Sequence, residues 1–274
     1  MTIKECEGRI NSIKQRFRDY FHNNFDVDVF LIGKTSIQTK RTAIFSLCGE
    51  QPFPFSSTTL GETAHGKHGT AIILYPFNIK YPREFDHTLC HELGHAFFSQ
   101  SNSSLVEKLR HTMLHDEGGL AVFGLSVWSE FIAECIANLV LNEEPDQILF
   151  PKQEQLIHLL YEALPGLDKS NTARAKKSMQ IYLDGYMLNQ YALAHYCAMY
   201  LTDPTTVLMF DVKPDACRGL EECSEKEWRL IDDILDCLCK KLDEDDFWVV
   251  NENWLSDLGN LTDTLWNCRM IPQH

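Results

Sequence analysis

The chain has 274 residues, enough for one large domain or two small ones with a sizeable core. Its hydrophobic fraction of 44% and charged fraction of 23% are ordinary for a globular protein, and no uninterrupted apolar run reaches the roughly eighteen residues a membrane span needs. The formal charge of −14 argues against a direct nucleic-acid partner, because phosphate binding needs clustered Lys and Arg.

In chain order, Ile3, Cys6, Ile10, Ile13, Phe17, Tyr20 and Phe21 recur at steps of three and four, which predicts an amphipathic helix over 2–23. The short β-branched and aromatic runs Val27 to Ile32 and Arg41 to Leu47 each read as a strand. Pro52 to Gly69, rich in Pro, Ser, Thr and Gly, reads as a long loop, and Thr70 to Leu74 as a third strand closed by Pro76. From Pro82 the pattern turns helical: Arg83 to Ser99, Ser103 to His115, a break at Gly118-Gly119, then Ser126 to Leu141. Pro151 to Leu164 and Asn171 to Leu201 continue it. Ser224 and Glu227 form a capping box opening a helix to about Leu242, and Asn251 to Cys268 closes the chain.

The expected architecture is therefore α+β. A small N-terminal sheet with an N-terminal helix comes first, then the Arg83 to Ser99 helix and a mostly helical C-terminal half. The expected organisation is a core over 1–142 and a helical part over 143–274 packed on it as one continuous domain.

The ten cysteines are spread singly apart from Cys237 and Cys239, whose one-residue separation is neither a redox nor a zinc-finger spacing. With no apolar segment at the N-terminus that resembles an export signal, reduced thiols and a cytoplasmic location are expected. From Thr205 onward 16 acidic residues outnumber 7 basic ones, which predicts a solvated acidic surface there.

The chemistry concentrates in His91-Glu92-Leu93-Gly94-His95. Residues four apart share a helix face, so His91 and His95 are spaced to place two imidazole nitrogens on one Zn²⁺. Glu92 falls about 100° around the helix, where a carboxylate can take a proton from an attacking water and hand it to a leaving amine. The apolar flanks Thr88-Leu89-Cys90 and Ala96-Phe97-Phe98 suit a helix along the floor of a cleft, and Gly94 removes a side chain beside the metal.

A hydrolytic zinc site wants a third protein ligand and an open position. Phe98 and Ser101 stand where a metzincin has Gly and His, so the third ligand comes from elsewhere. Glu130 and Glu134 sit four apart on an otherwise apolar segment, and two carboxylates there are costly to bury unless paired or metal-bound. Glu130 as ligand and Glu134 as acceptor from a ligand His N–H resolves both, and the reverse assignment is open. His111 and His115, also four apart but among charged residues, read as a surface pair. His65 and His68 read as exposed loop histidines that could touch substrate. Ala71 to Leu74 could pair with an extended substrate backbone.

His91 to His95 followed by the Glu130/Glu134 segment resembles the gluzincin metallopeptidases. More narrowly, Phe85-Asp86-His87-Thr88-Leu89-Cys90-His91-Glu92-Leu93-Gly94-His95 is similar to the ImmA/IrrE-type segment, which often reads F-T-x-x-H-E-x-G-H. Here Asp86 and His87 stand between the Phe and the Thr. The resemblance covers roughly residues 1–142 and implies a zincin-like fold and a single-zinc peptidase acting on a protein or peptide, several relatives cleaving DNA-binding repressors. Tyr191 to Leu201 resembles the helix of aminopeptidase-type gluzincins whose Tyr stabilises the tetrahedral intermediate. Tyr191 takes that place, with His195 one turn later as the other donor. The competing expectation is a non-catalytic zinc-containing interaction module.

Overall fold

The computed structural model describes residues 1–22, 24–52, 55, 59–114, 119–141, 148–149, 217–218, 225–242, 244 and 247–270. Among these the fold is α+β: α1 (Ile3–Phe21), β1 (Asp28–Leu31), α2 (Ile37–Cys48), β2 (Gly61–Gly66), β3 (Gly69–Leu74), α3 (Pro82–Ser101), α4 (Ser103–Leu114) and α5 (Leu120–Leu141). The short β4 (Ile148–Leu149) and β5 (Cys217–Arg218) pair in parallel, and α6 (Glu225–Leu242) and α7 (Glu252–Met270) follow. The expected helices at Pro151 to Leu164 and Asn171 to Leu201 lie outside the described residues, as does Ser224 of the expected capping box.

The chain divides into two compact units, Met1–His111 with Ile132–Glu144, and Thr112–Phe131 with Pro145–His274. The division falls inside α5, a single continuous helix.

In the first unit, the sheet has the order β1-β3-β2, with β1 parallel and β2 antiparallel to β3. Strand alternation sends Ala71, Ile73 and Tyr75 to one face, where they pack with Ala64, Ile44, Phe45 and Cys48 in a core against α2. The opposite face meets α3. α1 is opened by a Thr2/Glu5 capping box and buries Cys6, Ile10, Ile13 and Phe17. Its Arg9 bonds Asp86 of α3 at 2.6 Å, and Phe21 stacks on Phe97 at 5.4 Å. Arg16 Nη2 donates to the carbonyls of Val140 and Leu141 at 2.9 and 3.1 Å, placing a cation on the last turn of α5, where carbonyls lack intrahelical partners.

Two expectations for the first unit are corrected. Arg41 to Leu47 is not a strand but the body of α2. Arg41, Ile44, Phe45 and Cys48 form its buried stripe, and a charge in that stripe hid the helical period. Arg41 is 1% exposed because Nε lies 2.8 and 2.9 Å from the two oxygens of Glu62, which also accepts from Tyr75 Oη. Its guanidinium further rests 5.0 Å from the Phe45 ring centroid. α2 ends at Gly49, φ 82, with Glu50 N–H on Phe45 O at 2.9 Å and Gly49 N–H on Ser46 O at 3.1 Å, a left-handed closure that suits glycine.

The second half of the expected Pro52 to Gly69 loop is strand β2, joined to β3 through Lys67-His68. Its polar side chains carry no apolar alternation because each is satisfied by a specific neighbour. Glu62 meets Arg41 and Tyr75, Thr63 meets Glu92, and His65 Nδ1 lies 2.7 Å from Thr70 Oγ1. His65 is thus 5% exposed rather than an exposed loop residue, while His68 in the turn is exposed.

In the second unit, α5 begins at Leu120, six residues before the expected Ser126. Gly124 does not break it. A Cβ there would sit 1.9 Å from Leu255 O, so the glycine lets α7 approach backbone to backbone, with Gly259 opposite. Trp128 crosses Trp254 edge-on at 4.9 Å. α6 buries Ile231, Ile234, Leu235 and Leu238, and carries Glu225 and Glu227 at its first turn and Lys240 and Lys241 at its last, the arrangement its dipole favours. α5 is the described helix long and apolar enough to cross a membrane, and 67% of its most apolar stretch is buried within the protein.

Candidate metal centre

α3 starts at Pro82, which supplies the fixed φ a first helical residue needs, and Glu84 accepts from Lys80 N at 2.6 Å. The helix is buried almost all round, from Phe85 through Thr88 to Leu93, Ala96 and Phe98. Such a helix sits between layers rather than on a surface, here between β2 and β3 on one side and α1 and α5 on others.

The crossing with α5 is set by small residues. A Cβ on Gly94 would lie 2.8 Å from Ala133 Cα and 3.3 Å from Ala133 O, closer than packed carbon atoms tolerate. Gly94 therefore removes a side chain where α3 meets α5, not beside a metal as expected from sequence. This contact brings the α5 carboxylates to the histidines.

His91 Nε2 and His95 Nε2 are 3.0 Å apart, and with one oxygen of Glu130 they form a group of ligand atoms all within 4.8 Å of one another. On the other side of the same ring, His91 Nδ1 lies 3.1 Å from Glu134 Oε2. With the Nδ1 proton donated to Glu134, Nε2 keeps its lone pair toward His95 and Glu130. Glu134 is 6% exposed and His91 9%, so the pair is shielded from water. Two imidazole nitrogens and a carboxylate oxygen converging at this separation fit a divalent ion of zinc type by donor chemistry.

Glu92 lies on the β2 side of α3 and is 7% exposed. Thr63 Oγ1 is 2.7 Å from Glu92 Oε2 and 3.1 Å from the Glu92 carbonyl; its single proton makes the shorter, charge-assisted bond to the carboxylate. Gly61 gives the carboxylate its space, since a Cβ there would stand 2.9 Å from Glu92 Cγ and 3.0 Å from Oε1. Gly61 and Thr63 share one face of β2, two residues apart, while Glu62 turns to the Arg41 side.

Three residues of this centre were not singled out from sequence. Thr63 and Gly61 lay in the segment read as loop. His87 lies one turn before His91 and places Nε2 3.2 Å from Glu134 Oε2. The His87, His91, His95 repeat at intervals of four was the available signal for it. The expected pairing role of Ala71 to Leu74 is also corrected: β3 is the central strand, bonded to β1 on one side and β2 on the other, and β1 and β2 form the two edges. Tyr191 and His195 lie outside the described residues, as do the side chains of His111 and His115.

The thiols of Cys6, Cys48, Cys90 and Cys135 are buried and unbridged, and burial pushes those of Cys6 and Cys48 above their ordinary pKa. None of these four belongs to either His/Glu group. Comparison with protein-family models, with curated proteins and with solved structures returned no match for this chain.

Proposed function

We propose that this chain is a zinc-dependent metallopeptidase of gluzincin type, by the resemblance of its HExxH segment to ImmA/IrrE-like proteins, with a protein or peptide as substrate. The observation that carries the reading is the convergence of His91, His95 and Glu130, with Glu92 alongside on the same helix turn. His91, His95 and Glu130 hold the metal, and Glu134 fixes the His91 ring by accepting its Nδ1 proton. A bound zinc supplies Lewis acidity that polarises a carbonyl and acidifies a water.

Glu92 is the general base: it takes a proton from the attacking water and returns it to the departing amine. Thr63 holds one oxygen of that carboxylate in place. The edge of β2 offers main-chain groups to an extended substrate, next to the base that β2 itself positions. Tyr191 or His195 is the proposed donor to the oxyanion. Zinc rather than magnesium follows from two imidazole ligands, which hard cations disfavour.

Protein purified without chelator should carry about one zinc per chain. Glu92→Gln should keep that zinc and lose hydrolysis of a casein or peptide-library substrate by roughly 10²–10⁴-fold. His91→Ala should lose the metal. Full zinc content after replacing both His91 and His95, or undiminished hydrolysis by Glu92→Gln, would overturn the reading.

A further inference from the structure

The edge of β2 is open over only part of its length. Tyr75 N–H donates to Leu60 O at 2.9 Å, one step before the Gly61–Leu74 pair that begins the antiparallel register. Hydrogen-bonded pairs alternate along such a ladder, so Glu62, Ala64 and Gly66 turn their main-chain N–H and C=O groups to β3. Gly61, Thr63 and His65 turn theirs outward.

These outward positions differ. Gly61 and Thr63 are half-buried, and among the described residues their outward main-chain groups meet no partner. His65 is 5% exposed, and its N–H donates to Glu50 Oε2 at 2.8 Å. Past it, the C-terminal turn of α2 lies against the strand. A Cβ on Gly66 would sit 2.5 Å from Cys48 O, and His68 N–H donates to that same carbonyl at 3.0 Å. Glu50 is fixed there by its own N–H on Phe45 O at 2.9 Å, just after the left-handed Gly49. Before the strand, Thr59 O accepts from Asn78 Nδ2 at 2.7 Å.

We propose that Glu50 is a specificity-determining residue: by taking the His65 N–H it stops substrate pairing at Thr63 and confines an extended peptide to a short slot over Gly61 to Thr63. The inference rests on the proposed function, which places the substrate on this edge beside Glu92. The Glu92 carboxylate lies under that slot. A Cβ on Gly61 would stand 2.9 Å from Glu92 Cγ, and Thr63 Oγ1 is 2.7 Å from Glu92 Oε2. A peptide running on past Thr63 finds the next outward amide already bonded to a carboxylate, and it turns away into solvent. A long open edge would reward each added substrate residue with further main-chain bonds. This one favours a short extended segment, matched to Gly61–Thr63, between turns or chain ends.

The test maps cleavage of a peptide library by the full chain, purified without chelator, using mass spectrometry. One cleaved, end-blocked peptide is then lengthened residue by residue in both directions. In wild type kcat/KM should level off once the peptide spans the slot. Glu50→Ala should gain about 3–10-fold from the next residue in one direction only, the worth of a main-chain hydrogen bond. Glu50→Gln keeps an acceptor oxygen for His65 and should follow wild type. Residue-resolved hydrogen exchange of the free chain should show the His65 amide slower than that of Thr63, and released in Glu50→Ala. Identical length profiles for wild type and Glu50→Ala, or a wild-type kcat/KM that keeps rising in both directions, would overturn the proposal and leave the peptidase reading standing. If no peptide is cleaved, the peptidase reading falls and the same library is read by amide exchange. Protection gained at Gly61 and Thr63 would then retain the slot, and none gained would overturn it.

Discussion

Gly94 decides how closely α3 and α5 approach, and replacing it separates local helix preference from tertiary fit. In an exposed helix interior, Gly→Ala stabilises by about 1 kcal/mol through helix propensity. At Gly94 the added methyl would stand 2.8 Å from Ala133 Cα. Carbon atoms pack at about 3.5–4.0 Å, so the helices must separate by roughly 0.7 Å or more. Overpacking of this kind costs about 1–3 kcal/mol, which offsets the propensity gain and leaves a net loss of up to about 2 kcal/mol. Gly8 on α1 is the matched control, because it is exposed and a Cβ there meets nothing within 4 Å. Urea unfolding should show Gly8→Ala raised in midpoint and Gly94→Ala lowered at similar slope, the two differing by about 1–3 kcal/mol. The same separation draws Glu134 from His91, so zinc affinity measured against a competing chelator should fall about 10–100-fold in Gly94→Ala and stay unchanged in Gly8→Ala. Equal stabilisation by both substitutions would refute the close-crossing argument.

Thr63→Val removes the hydroxyl that holds Glu92 while keeping its shape. On the proposed peptidase reading, hydrolysis should fall about 10–100-fold in kcat, the loss of a hydrogen bond to a charged group, with KM and zinc content unchanged and Thr63→Ser restoring most of the rate. Arg41→Met strands Glu62 in a mostly buried setting and should lower stability by about 3–5 kcal/mol in urea unfolding, with the double variant Arg41→Met/Glu62→Gln recovering a large part. Tyr75 is fully buried and bonded to Glu62, and both burial and the carboxylate push its phenol well above the ordinary range. The folded state favours the neutral phenol, so stability is insensitive below the unfolded pKa of about 10 and falls as pH rises past it. Comparing urea unfolding at pH 9 and pH 11, wild type should lose more stability than Tyr75→Phe; an equal loss would place the alkaline sensitivity elsewhere.

What the sequence by itself determined is local. The spacing of His91, Glu92 and His95 on a helix, the amphipathic period of α1, and the β-branched runs of β1 and β3 follow from the 3.6- and 2-residue repeats of the backbone, and each stands within two residues of its expected place. The presence of two carboxylates four apart on an apolar segment was equally legible, since α5 has only itself to set that spacing.

What the tertiary structure decided is everything that depends on a neighbour distant in the chain. Arg41 hid a helix because its charge is neutralised by a residue twenty-one positions on, and β2 looked like a loop because Glu62, Thr63 and His65 are each satisfied by partners outside the strand. Gly94 was assigned to the metal when its neighbour is Ala133. His87 meets Glu134 across forty-seven residues of sequence. The HELGH segment fixes where two nitrogens and a carboxylate point along one helix. Which side chains meet them is set by the packing of α3 against β2 and α5, because a contact between elements depends on the shapes of both faces and neither repeat encodes it.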